Sequence, residues 1–335
     1  MTFLAYIFTV LKNMVYGCSV FFTSNLSENV DVLDILALRF LISFVVMWLL
    51  KVAKIVKIDV GVKDLFKKSE RTPHLSSLVL AAVFEPVLYM FFETTGITMC
   101  TGITTAVILS LGPISSCLCE IFILKERATP AQMILLAVGT VGVMYIAFNT
   151  NAADGKDTPL GILFIVLAVI CSSLFMAFSR KCSKHFNAME RTYTSVVLGA
   201  VAFNLVNVVR HIINGSILSY FKPFLSADNM VGFAFLAILS TVVATGMNNF
   251  AVSKLQLSTM AAFGGVSTLT TIFVGAVFEG EQIMTFHVIG FTLIFIRMFG
   301  VSAINIIKSN SKNVQAIEIK PKKQRVLLGA LTRII

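Results

Sequence analysis

The stretch FEPVLYMFFETTG, residues 84–96, places two glutamates, Glu85 and Glu93, in an otherwise apolar run, with Pro86 between them. A run of this kind belongs either to the core of a soluble protein or to a helix that crosses a bilayer. Composition decides between them. The chain is 57% hydrophobic and 13% charged, with a mean hydropathy of +0.88. A soluble domain carries about 25% charged residues because its core needs a polar coat. Half that charge leaves no coat, and the fold class is an all-α membrane protein.

Working outward from that run, ten apolar segments are long enough to cross about 30 Å of hydrocarbon. They lie at 3–23, 33–50, 75–97, 102–124, 130–148, 160–179, 192–213, 231–252, 258–278 and 286–307. The first lacks a basic leader and a small-x-small cleavage site, so it reads as a retained helix. Cys18, Cys100, Cys117, Cys119, Cys171 and Cys182 all fit small apolar helix positions. His74, His185, His211 and His287 are too scattered for a metal centre. Neither a metal nor a cofactor is expected.

Ten spans sort the loops into two sets. The loops 51–74, 125–129, 180–191 and 253–257, with the tail, hold 21 Lys and Arg against six acids. The loops 24–34, 149–159, 210–230 and 279–285 hold three bases against eight acids. Cytoplasmic loops carry the Lys/Arg excess, so both termini are expected in the cytoplasm. The net charge of +10 is then an orientation signal that also meets anionic lipid headgroups, and nucleic acid is not an expected partner.

Sliding the chain by 155 residues lays five helices on five, with Thr104 on Thr259, Glu126 on Glu281 and Ile134 on Ile289. Five is odd, so equivalent loops fall on opposite faces, and their charge inverts accordingly. KER at 125–127 is basic where GEQ at 280–282 is acidic. The expected architecture is ten transmembrane helices in two inverted five-helix repeats. The repeats are placed at 1–150 and 156–307, with a basic tail at 308–335. Two such halves can exchange inward-open and outward-open states around a central site.

Six charged residues remain inside spans: Lys12, Arg39, Glu85, Glu93, Glu120 and Arg297. An acid at a helix centre costs about 2.5–3.5 kcal/mol to insert, so such groups face the protein interior or a wet cavity. On a regular helix Glu85 and Glu93 stand roughly 12 Å apart along the axis and about 80° around it, which lets both border one cavity. Glu93 is the nearer to a helix end, where snorkelling to water competes. Burial favours the neutral form of a carboxyl group, so Glu85 is a candidate for binding and releasing a proton. It competes with a structural ion pair. Lys12 is the natural cation for Glu85 or for a substrate carboxylate, and Tyr16 shares its face one turn on. Asn248, the 155-residue counterpart of Glu93, and Ser110 complete the candidate pathway. Arg39 and Arg297 read as clamps between helices, and Glu120 as a rim ion pair with Lys125. Gly112, Pro113, Gly264 and Gly265 sit in small-residue helices that allow close packing or hinging.

ALRF (37–40), FETTGITMCTGITTAVILSLGP (92–113), LKERATPAQ (124–132) and NFAVSKLQLSTMAAFGGVSTLTTIFVGAVFEGEQ (249–282), in this order and spacing, resemble the drug/metabolite transporter superfamily, in its ten-helix form with two EamA-type units. The resemblance implies alternating-access transport of a small organic solute, such as export of an amino acid or related metabolite, with protons as a candidate coupling ion. Two other classes stand beside it. A sensor or scaffold needs no polar residues at mid-span in both halves. An intramembrane hydrolase needs a nucleophile and a partner histidine, and no such pattern accompanies His287. The chain's brevity and lack of sorting signals point to a bacterial plasma membrane.

Overall fold

The computed structural model describes residues 2–59, 72–97, 99–100, 102–126, 129–149, 158–279, 284–305 and 307. The basic segment 60–71, the acidic turn 280–282 and the tail from Lys308 therefore lie outside the described residues. All regular structure among those described is helical.

Ten transmembrane helices follow in order: α1 (Thr2–Ser27), α2 (Val32–Val52), α3 (His74–Ile97), α4 (Gly102–Leu109 and Gly112–Phe122), α5 (Pro130–Asn149), α6 (Pro159–Cys182), α7 (Ala188–Ile213), α8 (Asn229–Val252), α9 (Leu257–Phe278) and α10 (Thr285–Asn305). Among the described residues nine are long and apolar enough to cross a membrane, and α4 holds a shorter apolar helix.

Local chemistry sets the starts. Asp31 accepts from the N–H of Leu33 at the head of α2. Thr158 accepts from Gly161 at the head of α6, with Pro159 in the first turn. Asn187 and Glu190 form a reciprocal capping box on α7. Outward faces are apolar: Leu49, Val141, Leu205 and Phe299 are all exposed. The interior is apolar too, with Leu38, Phe175 and Leu236 fully buried, and it also holds buried arginine, lysine, glutamate and asparagine. Apolar surface outside with charged groups inside suits a lipid solvent.

Packing follows a two-fold rule. α1 packs on α8 and α9, and its counterpart α6 packs on α3 and α4. α2 runs against α7, and the last part of α4 meets the first part of α9. α2 also touches α8, as α7 touches α3. Exchanging each helix for the one five places on maps this set onto itself. The repeats are therefore intertwined, with α1 seated among helices of the second repeat and α6 among helices of the first.

Both α3 and α8 widen at equivalent places. Val83–Leu88 is a π-helical turn in which Glu85 leaves helical geometry (φ −140°, ψ 121°), and the Glu85–Pro86 peptide is cis. Phe235–Ala244 is π-helical in α8. With the 155-residue shift, 83–88 falls on 238–243, inside that second π segment. α4 and α9 are interrupted at equivalent places as well, before Gly112 and after Ala262. The regular-helix spacing expected between Glu85 and Glu93 does not apply, because the π turn resets the register between them.

Candidate functional site

α3 packs chiefly on α6 and α7, and α1 on α8 and α9. The charged side chains of α1, α2 and α3 cluster in the interior beside the hydroxyls of α8, and this cluster forms the candidate chamber. Lys12 is buried, while Tyr16, Arg39, Glu85, Tyr89 and Glu93 keep accessible surface. Lys12, Glu93 and Arg39 are the charges that act on Glu85. Arg39 in turn feels Tyr16, Glu93, Glu85 and Tyr89. The structure thus brings Lys12, Tyr16, Arg39, Glu85 and Glu93 into one chamber.

The helical register explains how α1 serves two surfaces. Lys12 and Tyr16, one turn apart, share the chamber face. Asn13 and Gly17, each about 100° further round, share the face toward α9. Asn13 donates to the carbonyl of Phe263 at 3.1 Å. A Cβ on Gly17 would stand 2.6 Å from the carbonyl oxygen of Ser267, so only glycine lets α1 approach this closely.

Within the chamber the groups differ in how they are held. The Lys12 amine lies 5.5 Å from the centre of the Tyr16 ring, and the Tyr16 hydroxyl is 3.4 Å from Thr245 Oγ1. Arg39 donates from Nε to Thr241 Oγ1 at 2.6 Å and from Nη2 to Ser240 Oγ at 3.0 Å. Glu93 accepts from the Tyr89 hydroxyl at 2.5 Å, so it is turned inward, away from the helix end that snorkelling would use. Among the described residues no hydrogen bond or ion pair is recorded for the side chains of Lys12 or Glu85. Arg39 is both a clamp between α2 and α8 and a member of the chamber.

The remaining candidates lie elsewhere. Ser110 is buried in the α4 break; its hydroxyl donates to Val107 and its carbonyl accepts from Thr140 of α5. Asn248 is buried with its Oδ1 unpartnered, one turn from Thr245. Its neighbour Asn249 ties helices, accepting from Ser179 at 2.7 Å and donating to Thr192 at 3.0 Å. Arg297 is 2% exposed and donates to the carbonyl of Ala262, which the interruption of α9 leaves free. Its side chain lies over Gly139, where a Cβ would come 2.2 Å from Cδ, and against Gly265. Arg297 of α10 thus contacts both α9 and α5.

Glu120 requires a correction. It is 2% exposed and accepts from the backbone N–H groups of Leu257 at 3.1 Å and Ser258 at 3.0 Å. A carboxylate from α4 thus caps the start of α9, where the helix leaves its first N–H groups unbonded. No ion pair with Lys125 forms. Nearby, Arg180 of α6 pairs with Glu126 at 3.0 Å and donates to the carbonyl groups of Val252, at 2.8 Å, and Leu255. Arg191 donates to Ser179 and to the carbonyl of Asn249. The Glu120 and Arg180–Glu126 contacts join the two repeats at the basic end of the bundle, and those of Arg191 lie within the second repeat.

Sequence reasoning missed Tyr89, Ser240, Thr241 and Thr245. A repeat argument was available for one of them, since Ser240 is the 155-residue counterpart of Glu85. Cys18, Cys117, Cys119, Cys171 and Cys182 are free thiols, and no metal cluster occurs among the described residues.

An intertwined ten-helix bundle with inverted-repeat packing and a charged internal chamber defines a membrane transport protein. Residues 3–148 and 159–303 each match the EamA-like transporter family, and the chain belongs to that family. It is 29% identical over 309 residues to the uncharacterized transporter YcxC of Bacillus subtilis, covering 92% of this chain and 95% of that one. The uncharacterized transporter YetK of the same organism is 24% identical over 288 residues, covering 85% and 83%. A crystal structure with a TM-score of 0.68 and 16% identity covers 90% of this chain and 96% of its own, and shows the same fold.

Proposed function

We propose that the chain is a secondary transporter that exports a small metabolite, such as an amino acid, by alternating access coupled to protons. The observation that carries this reading is the pair of opposite charges without direct partners, Lys12 and Glu85, in one chamber. Charges held inside a membrane protein without ion pairs are costly. A solute bearing a carboxylate and an ammonium would compensate both at once, with Tyr16 beside the cation. Glu93, Ser110 and Asn248 would border the path.

Glu85 would take up a proton when the substrate leaves and release it when substrate returns. The packing supports a particular moving pair: α1, α8 and α9 against α3, α4 and α6, with the interruptions at Gly112–Pro113 and Gly264–Gly265 as hinges. The repeats would occupy residues 1–150 and 156–307. With both termini in the cytoplasm of a bacterium, the basic end would face inward.

Purified protein in sealed vesicles, given a panel of metabolites and an imposed pH difference, tests this. An amino acid or related solute should move down the coupled gradient. Glu85→Gln should abolish gradient-driven movement and leave substrate exchange. Unchanged pH-driven transport in Glu85→Gln would defeat the proton reading.

A further inference from the structure

Arg39 is placed between two sets of partners. On one side are Ser240 and Thr241 of α8, which it touches. On the other are Glu85 and Glu93 of α3: Phe40, next to Arg39, and Pro86, next to Glu85, both lie against Gly199 of α7, and the charges act on one another. The two sides are related by the repeat, since Ser240 is the counterpart of Glu85 155 residues on. An arginine bonded to neutral hydroxyls while a carboxyl group within its field has no direct partner is an arrangement with a ready alternative. Charge-assisted bonds are roughly twice as strong as bonds to neutral groups.

We propose that Arg39 is a partner-switching residue: it holds Ser240 and Thr241 while Glu85 is neutralised by a proton or a substrate cation, and moves to the Glu85 carboxylate when neither is bound. The proposal rests on the reading of Glu85 given above. The proton leaves Glu85 for water in the chamber, and the guanidinium replaces it as the neutralising charge.

The mechanical consequence follows from which helices are joined. Bonded to Ser240 and Thr241, Arg39 ties α2 to the body containing α1, α8 and α9. Bonded to Glu85, it would tie α2 to the body containing α3, α4 and α6. The π segments favour such a change. Thr241 already donates to the carbonyl of Leu236, and Ser43 donates to that of Ala237 at 2.9 Å. The wide turn thus keeps its own bonds when the guanidinium departs.

The groups that would share in the titration are few. α1 presents Lys12 and Tyr16, α2 presents Arg39, and α3 presents Tyr89 and Glu93. α8 presents only the hydroxyls of Ser240, Thr241 and Thr245. From α6 and α7 the neighbours of the turn are Phe178, stacked on Phe84, and Gly199, against Pro86; neither titrates.

The test is a pH titration of the protonated-carboxyl infrared band in membranes, with the Glu85 component isolated by subtracting Glu85→Gln. Ser240→Ala with Thr241→Val removes the neutral partners, so Arg39 rests on Glu85 more readily. The midpoint should move to lower pH by about one unit, the lower end of the effect of an adjacent arginine on a carboxylate. Arg39→Gln should move it to higher pH, and Arg39→Lys should restore part of that shift. If Arg39→Gln does not accumulate, the hydroxyl variant decides alone. An unmoved or alkaline midpoint there would show Arg39 to be a fixed clamp and overturn the proposal, with Glu85 still titrating. Absence of any Glu85 component would overturn the proton reading as well.

Discussion

His211 of α7 lies with Nε2 2.8 Å from Oδ1 of Asp34 on α2, joining the second repeat to the first at the acidic end of the bundle. The other ring nitrogen faces the carbonyl of Ser216 at 3.0 Å. Asn207 donates to the same Asp34 oxygen at 2.8 Å, and Arg210 reaches both Asp34 and the more exposed Asp31. Asp34 is buried, and replacing it leaves several donors without an acceptor. Asp34→Asn should lower stability by about 1–3 kcal/mol. Asp31→Asn, on a 51% exposed side chain, should cost under about 1 kcal/mol. Thermal unfolding in detergent distinguishes them, and equal effects would count against the cluster as a brace.

Arg180 and Glu126 should prove unequal partners. Their side chains are 20% and 31% exposed, so the ion pair itself is worth at most about 1 kcal/mol. Arg180 also serves the carbonyl groups of Val252 and Leu255, which Glu126 does not. Arg180→Gln should destabilise clearly and Glu126→Gln barely. The charge swap Arg180→Glu with Glu126→Arg should fail to restore stability, since neither new residue reaches those carbonyl groups in the same way.

Glu120 supplies the first turn of α9 with its acceptor. Glu120→Ala leaves two buried N–H groups unbonded, at a cost of about 3 kcal/mol. Glu120→Gln retains one acceptor oxygen and should cost about half as much. A melting curve in detergent measures both. Indistinguishable variants would argue that water takes over the role.

Two glycines should respond in opposite ways to alanine. At Gly17 the added carbon meets a backbone oxygen of α9 at 2.6 Å, so α1 must move, and a loss of about 1–3 kcal/mol is expected. At Gly112 nothing lies within 4 Å, so Gly112→Ala should fold at least as well as the parent. If the α4 interruption bends during transport, turnover should fall in Gly112→Ala while stability holds. Unchanged turnover there would place the bending elsewhere.

In intact cells membrane-impermeant maleimide should label Asn214→Cys and spare Lys125→Cys, which should react only once the membrane is opened. Equal labelling of both in intact cells would contradict the expected topology.

Much of this architecture was legible in the sequence because a bilayer imposes a simple length rule. The segments at 130–148 and 192–213 differ from α5 and α7 by only a few terminal residues. The helix α4 was harder: Gly112 and Pro113 marked a candidate hinge, but the apolar run did not show that the helix stops at Ser110 and Leu111. The π turn at 235–244 was not legible at all. It contains no proline or glycine, and the widening arises from packing on α1 and α2. Glu120 was read from its neighbour Lys125, whereas its partners are backbone groups 137 and 138 positions away. Arg39 was recognised as a clamp, but its place opposite Glu85 depends on the intertwining of the repeats.

The four charges of the chamber, Lys12, Arg39, Glu85 and Glu93, all belong to the first repeat, whereas the second contributes the hydroxyls of Ser240, Thr241 and Thr245. Matching backbones therefore carry unmatched chemistry. A dimer of first repeats would crowd eight ions around one axis, and a dimer of second repeats would present none. Fusing two unlike halves leaves one charged wall facing one neutral wall in the same interior.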